Sequence, residues 1–135
     1  MKGQCLCGAI QVNAGDRSDI GLCHCSMCRN WGGGPFLAVH CGKEVEFTGI
    51  KPKTYQSSDW AKRGFCPECG THLFYHLLPK DEYMLAAGLF PSQSFTITSQ
   101  MYTDEKPNYY DFKNETKINM TSDDIKALFK SLFEK

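Results

Sequence analysis

The sequence of 135 residues carries no excess of either charge, with 15 Lys and Arg set against 15 Asp and Glu. A balanced chain offers no electrostatic footprint to a nucleic acid or an anionic membrane, so neither is expected as a partner. Long apolar runs are missing too. The stretch Met84-Leu85-Ala86-Ala87-Gly88-Leu89-Phe90 falls far short of the ~20 residues that a membrane-spanning helix needs. No linker, low-complexity run or second domain stands out. Met1-Lys2-Gly3-Gln4 reaches Cys5 without the apolar segment of a secretory leader, so a reducing, cytoplasmic setting is the expectation. One residue type is abundant: there are eight cysteines. In a reducing compartment, cysteines grouped this tightly point to metal ligation rather than disulfides.

Short segments of alternating or β-rich character recur at Ala9–Asn13, Phe36–His40, Glu44–Thr48, Thr71–His76, Glu82–Leu89 and Phe95–Tyr102. Turn residues such as Gly15-Asp16, Lys51-Pro52 and Leu78-Pro79 separate them. The pattern predicts a mainly β fold, a sandwich of short antiparallel strands stapled by zinc. Only the tail reads as helix. Thr121-Ser122-Asp123-Asp124 is a good N-terminal cap, and Ile125, Leu128, Phe129, Leu132 and Phe133 share one helical face. Residues 1–120 are thus expected to form a zinc-binding β domain, with residues 121–135 as an amphipathic helix packed on it.

The cysteines divide by spacing. Cys66 and Cys69 have the two-residue gap of a zinc knuckle, and Gly70 lets the backbone turn beneath the metal. Cys5 and Cys7, one residue apart in an extended chain, point to the same side, and Gly8 follows them. Together the two pairs would form a closed tetrahedral site of four thiolates, structural in role and suited to zinc. A second group, Cys23-His24-Cys25-Ser26-Met27-Cys28, puts three thiols within six residues. Only Cys41 remains. If it reaches this group, the site is a closed staple and the protein a non-catalytic interaction module. If it does not, three ligands leave one position open, as in catalytic zinc sites.

The three segments Cys5-Leu6-Cys7-Gly8-Ala9-Ile10, Cys23-His24-Cys25-Ser26-Met27-Cys28-Arg29 and Gly64-Phe65-Cys66-Pro67-Glu68-Cys69-Gly70-Thr71 carry a resemblance. They are similar to the signatures of the glutathione-dependent formaldehyde-activating enzyme family, which also contains centromere protein V. Lys106-Pro107-Asn108-Tyr109-Tyr110-Asp111-Phe112 is similar to that family's less specific C-terminal motif, and the resemblance covers about residues 1–115. It implies two zinc ions per chain, a structural one on Cys5, Cys7, Cys66 and Cys69 and a catalytic one on Cys23, Cys25 and Cys28. It also implies a carbon–sulfur lyase joining glutathione and formaldehyde into S-(hydroxymethyl)glutathione. Cys41 lies outside the family pattern, which favours the open site. A thiol coordinated to zinc is deprotonated, so a small thiol in the open position would be held as the nucleophilic thiolate.

Other candidates have plainer readings. Arg29, beside the metal loop, is the cation placed to bind a carboxylate of a glutathione-like ligand, ahead of the pair Lys62-Arg63. Gly32-Gly33-Gly34 reads as a turn into the strand at Phe36. His24, between two cysteines that share a side, should point away from their metal. His72 and His76 lie on a strand, where positions four apart are separated by about 13 Å, too far for one ion. No Asp, Glu or His is marked as a general acid or base, and oligomeric state is not legible.

Overall fold

The computed structural model describes residues 1–130 of the chain. Leu132 and Phe133 of the expected tail stripe lie outside the described residues. The fold is mainly β, with two sheets and a C-terminal helix, and its contacts divide it into two units. The first comprises Met1–Ser18 and Val39–Phe95, the second Asp19–Ala38 and the residues from Thr96 onward.

In the first unit, β1 (Lys2–Gln4), β2 (Ile10–Ala14) and β5 (Val45–Gly49) form a three-stranded antiparallel sheet in the order β1-β2-β5. Strand β2 alternates strictly, burying Ile10, Val12 and Ala14 and exposing Gln11 and Asn13, as a half-buried strand should. A longer meander runs β6 (Lys53–Ser58), β7 (Ala61–Phe65), β8 (His72–Leu77) and β9 (Glu82–Ala86), each antiparallel to the next. On one face of the meander Phe74 packs against Tyr83, with ring centroids 5.1 Å apart, and against Phe47 of β5 at 5.2 Å. Gly64 sits opposite Phe74 in the β7–β8 register and leaves room for its ring. This aromatic cluster and the buried Leu73, Leu77, Leu85 and Leu89 form the unit's core.

In the second unit, β3 (Asp19–Cys23) pairs antiparallel with the start of β4 (Phe36–Gly42), which is divided between the units after Ala38. Strand β10 (Thr96–Met101) runs parallel to both β3 and β11 (Ile118–Met120). These parallel pairs depart from the expected antiparallel pattern. More than seventy residues separate β3 from β10, a connection long enough to return the chain in the same direction, whereas hairpins reverse it. Helix α1 (Ser26–Gly32) follows β3 directly, and α2 (Ser122–Leu128) follows β11.

Helix α2 starts as its sequence predicts. Thr121 Oγ1 accepts the Asp124 backbone N–H at 3.2 Å, and the Asp124 carboxylate accepts the Thr121 N–H at 2.9 Å, a reciprocal capping box. Asp104 takes both the backbone N–H and the hydroxyl of Ser122 at 2.8 Å, and these bonds hold its carboxyl below the usual range. Of the apolar stripe, Ile125 is buried while Leu128 is 63% exposed, so the buried face of α2 is narrower than the sequence pattern implied. No helix among the described residues is long and apolar enough to cross a membrane.

Candidate functional site

Two groups of thiols converge, one in each unit. The first unites Cys5 and Cys7, which follow β1, with Cys66 and Cys69, which follow β7. The two segments fold alike. Cys5 N–H donates to the Ile10 carbonyl at 3.0 Å, and Cys66 N–H to the Thr71 carbonyl at 2.9 Å. Each turn then closes on the cysteine's own carbonyl, which accepts from Gly8 N–H at 3.0 Å in one and Gly70 N–H at 2.8 Å in the other. Both glycines are left-handed, with φ of 79° and 77°, a conformation that a Cβ would strain. The Thr71 hydroxyl joins the two turns by accepting the Leu6 N–H at 3.0 Å.

The four sulfurs lie within 4.8 Å of one another, with Cys5–Cys7 at 3.6 Å and Cys7–Cys66 at 3.8 Å. Zn–S bonds of about 2.3 Å in a tetrahedron put sulfurs about 3.8 Å apart, so this donor set fits zinc in both chemistry and size. Crowding shows in the acid–base balance. A backbone hydrogen bond from Ala9 favours the Cys7 thiolate, yet burial and the neighbouring Cys5, Cys69 and Cys66 push the thiol up to about 12. Cys69 is instead brought down to about 5, chiefly by the hydroxyl and backbone N–H of Thr71. Such a group can share its negative charge only if a cation takes part of it.

The second group is Cys23, Cys25 and Cys28, again with sulfurs within 4.8 Å of one another. Cys23 ends β3. Cys25 is the N-cap of α1, its sulfur accepting the Cys28 N–H at 3.3 Å, and buried Cys28 lies in the helix's first turn. Strand, cap and turn thus bring three thiols together within six residues. Hydrogen bonds to Cys25 and Cys28, together with burial, push the Cys23 thiol well up, and a dication would reverse this. Among the described residues no fourth Cys, His, Asp or Glu joins this group, and Cys41 belongs to neither. Cys41 is fully buried in β4, where burial raises its thiol against the opposing charge of Arg17.

The histidines and cations fall as follows. His24 points away from the thiols into the second unit, fully buried, with Nδ1 2.7 Å from the Tyr110 hydroxyl and Nε2 2.8 Å from Gln100 Oε1. Its partners are side chains from distant segments of the chain. His76 pairs with Asp81 at 2.8 Å and stacks on Tyr83, while His72 has its basicity lowered by burial and by Arg63. Arg29 lies in α1, its Nε donating to the His24 carbonyl at 2.9 Å; among the described residues no carboxylate pairs with its guanidinium. Arg63 is no surface cation. It is 4% exposed, donates to Ser57 Oγ at 3.1 Å and lies 5.1 Å over the Tyr75 ring.

Residue-by-residue reading did not single out Gln100, Glu105 or Tyr110 beside the second group. Tyr110 alone left a trace, as part of the C-terminal motif.

The comparisons with known proteins bear on the same cysteines. Residues 1–105 match the family described as glutathione-dependent formaldehyde-activating enzyme. A Schizosaccharomyces pombe protein named as an uncharacterized lyase is 34% identical over 133 residues, covering 96% of this chain and 97% of the relative. A crystal structure of a Rhodobacter sphaeroides protein shares the fold with a TM-score of 0.57 at 20% identity, over 90% of this chain and all of that one. With its thiols grouped in space as its motifs are spaced in sequence, the chain belongs to the glutathione-dependent formaldehyde-activating enzyme family.

Proposed function

We propose that this protein is a zinc-dependent carbon–sulfur lyase that makes or splits the adduct of a small thiol, glutathione foremost, with formaldehyde or a related aldehyde. Membership of the family supports a glutathione-related lyase, and a relative aligned over nearly its whole length is named a lyase. One observation carries the reading: the first thiol group has four members and the second has three. A closed set of four suits a structural ion, and a set of three suits an ion that must also take a substrate.

In this reading Cys5, Cys7, Cys66 and Cys69 hold a structural zinc and Cys23, Cys25 and Cys28 a catalytic one. The chemistry supplied by zinc in the second position is the deprotonation of an incoming thiol at neutral pH. Three cysteine thiolates already surround that position with negative charge, which favours binding a thiol over polarising a carbonyl. The overall change is balanced without an oxidant: the thiol sulfur bonds the aldehyde carbon, and the thiol proton ends on the aldehyde oxygen. Arg29 orients the thiol's carboxylate, since its Nε is pinned to the His24 carbonyl while its terminal nitrogens remain for a ligand.

The test is exchange spectroscopy by NMR with ¹³C-formaldehyde and glutathione, which reports interconversion of adduct and free reactants at equilibrium. Zinc-loaded protein should speed the exchange well above the spontaneous rate, and Cys25→Ser should return it to that rate. No acceleration by fully loaded wild-type protein would remove the lyase assignment.

A further inference from the structure

A chain of hydrogen bonds runs behind the three-cysteine loop. Asn119 Nδ2 donates to the Thr116 carbonyl at 2.8 Å, which orients the amide so that its Oδ1 takes the Thr116 hydroxyl at 2.5 Å. With its proton so engaged, Thr116 Oγ1 accepts from Gln100 Nε2 at 3.1 Å. Gln100 therefore presents its carbonyl oxygen to His24 Nε2, 2.8 Å away, and that ring nitrogen carries the proton. The other ring nitrogen, Nδ1, is hydrogen-bonded to the Tyr110 hydroxyl at 2.7 Å. The Tyr110 ring also stacks on the imidazole, with centroids 5.5 Å apart and planes 28° from parallel.

The backbone of His24 is held just as fully. Its N–H donates to the Met101 carbonyl at 3.1 Å, and its carbonyl accepts from Arg29 Nε at 2.9 Å. One residue beyond Cys25, the Ser26 N–H donates to Glu105 at 3.1 Å, and the other oxygen of that carboxylate, 3.1 Å from the Ser122 hydroxyl, shares the hydroxyl's proton with Asp104. The loop carrying Cys23, Cys25 and Cys28 is thus fixed by β10 and by residues 105–122, none of which offers a thiol.

We infer that His24 is a positioning residue for the three-cysteine site: anchored by Tyr110 and Gln100, it holds the loop in the shape that binds metal, so the segment from Gln100 to Asn119 governs metal affinity without supplying a ligand. The inference rests on Cys23, Cys25 and Cys28 being a metal site. Its physical basis is preorganisation. Three thiols on a short free loop must be ordered when the ion binds, whereas here the backbone between them is already fixed before it arrives. Partners outside the ligand set commonly change metal affinity by about 10–100-fold when lost. His24 differs from the usual case in acting through the backbone between two ligands rather than through a ligand's own ring.

The test uses the full chain stripped of zinc and titrated with cobalt(II) against a competing chelator, with the four-thiol site as internal reference. Tyr110→Phe keeps the stacked ring and removes one hydrogen bond, and Gln100→Met removes the acceptor for Nε2. Gln100→Glu restores that acceptor. Tyr110→Phe and Gln100→Met should weaken cobalt binding at the three-cysteine site by about 10–100-fold and alter its thiolate absorption. The four-thiol site should be unchanged, and Gln100→Glu should regain most of the lost affinity. Should Gln100→Met fail to fold, Tyr110→Phe decides alone. Unchanged affinity and spectrum at the three-cysteine site, or equal weakening at both sites, would overturn the inference and leave His24 an ordinary core residue. A wild-type chain that binds only one cobalt would instead overturn the metal-site reading, and this inference with it.

Discussion

At the scale of single residues, the thiols were legible and their surroundings were not. Ligands one or two positions apart are a local matter, and strand alternation or a single turn suffices to converge them, so the spacing of Cys5/Cys7, Cys66/Cys69 and Cys23/Cys25/Cys28 foretold both groups. That His24 turns away from the sulfurs follows from the same alternation. Its partners Gln100 and Tyr110 are 76 and 86 residues distant, and no local pattern reports a contact of that separation. Arg63 reads in sequence, with Lys62, as a second candidate to bind a ligand's carboxylate, yet it is buried and lies over the Tyr75 ring. Arg29 is therefore the cation on which the ligand reading depends. In steady-state assays, Arg29→Ala should raise KM for glutathione by about 10–100-fold, the usual worth of a hydrogen bond to a charged group. With 2-mercaptoethanol, which has no carboxylate, the same variant should lose only what the bond from Arg29 Nε to the His24 carbonyl contributes to the loop, and so lose less than with glutathione. Equal losses with both thiols would show Arg29 to act on the loop alone.

At the scale of elements, β2, β4, β5, β8 and β10 were found to within two residues at each end. Strands β1, β3, β6, β7 and β11 were missed, three of them for plain physical reasons. Strand β1 is only three residues long, β6 is an exposed edge strand built of polar residues, and β7 places Arg63 and Gly64 where a core strand normally has apolar side chains. Helix α1 went unseen because its seven residues hold no apolar stripe and its cap is a cysteine. Strand β7 leads directly into Cys66, so its packing bears on the first site. A Cβ built on Gly64 would lie 2.2 Å from two ring atoms of Phe74, which Phe47 and Tyr83 hold in place. Gly64→Ala should therefore destabilise the fold by about 1–3 kcal/mol, the usual effect of overpacking a core. Thermal unfolding of the zinc-loaded protein would show this as a Tm several degrees lower, and an unchanged Tm would mean that the aromatic cluster yields freely.

At the scale of the whole molecule, the two thiol groups do different mechanical work. The first joins turns 59 residues apart, from Cys7 to Cys66, and an ion bound there would close a long loop and add its binding free energy to folding. The second lies within one loop and restrains almost nothing beyond it. Cys66→Ser should accordingly give protein that unfolds or aggregates, whereas Cys25→Ser should stay folded with one zinc fewer, as read by circular dichroism and metal analysis. Equal destabilisation by both substitutions would contradict that division. The central claim is narrower: the three-cysteine site keeps a coordination position for a small thiol. Cobalt substituted at both sites tests it most directly, because thiolate-to-cobalt absorption rises and shifts when a further sulfur binds. Glutathione should change the spectrum of the wild type and of Cys41→Ser alike, and leave that of Cys28→Ser unchanged. A wild-type spectrum that already shows four sulfurs at both sites, and loses one of them in Cys41→Ser, would contradict the account.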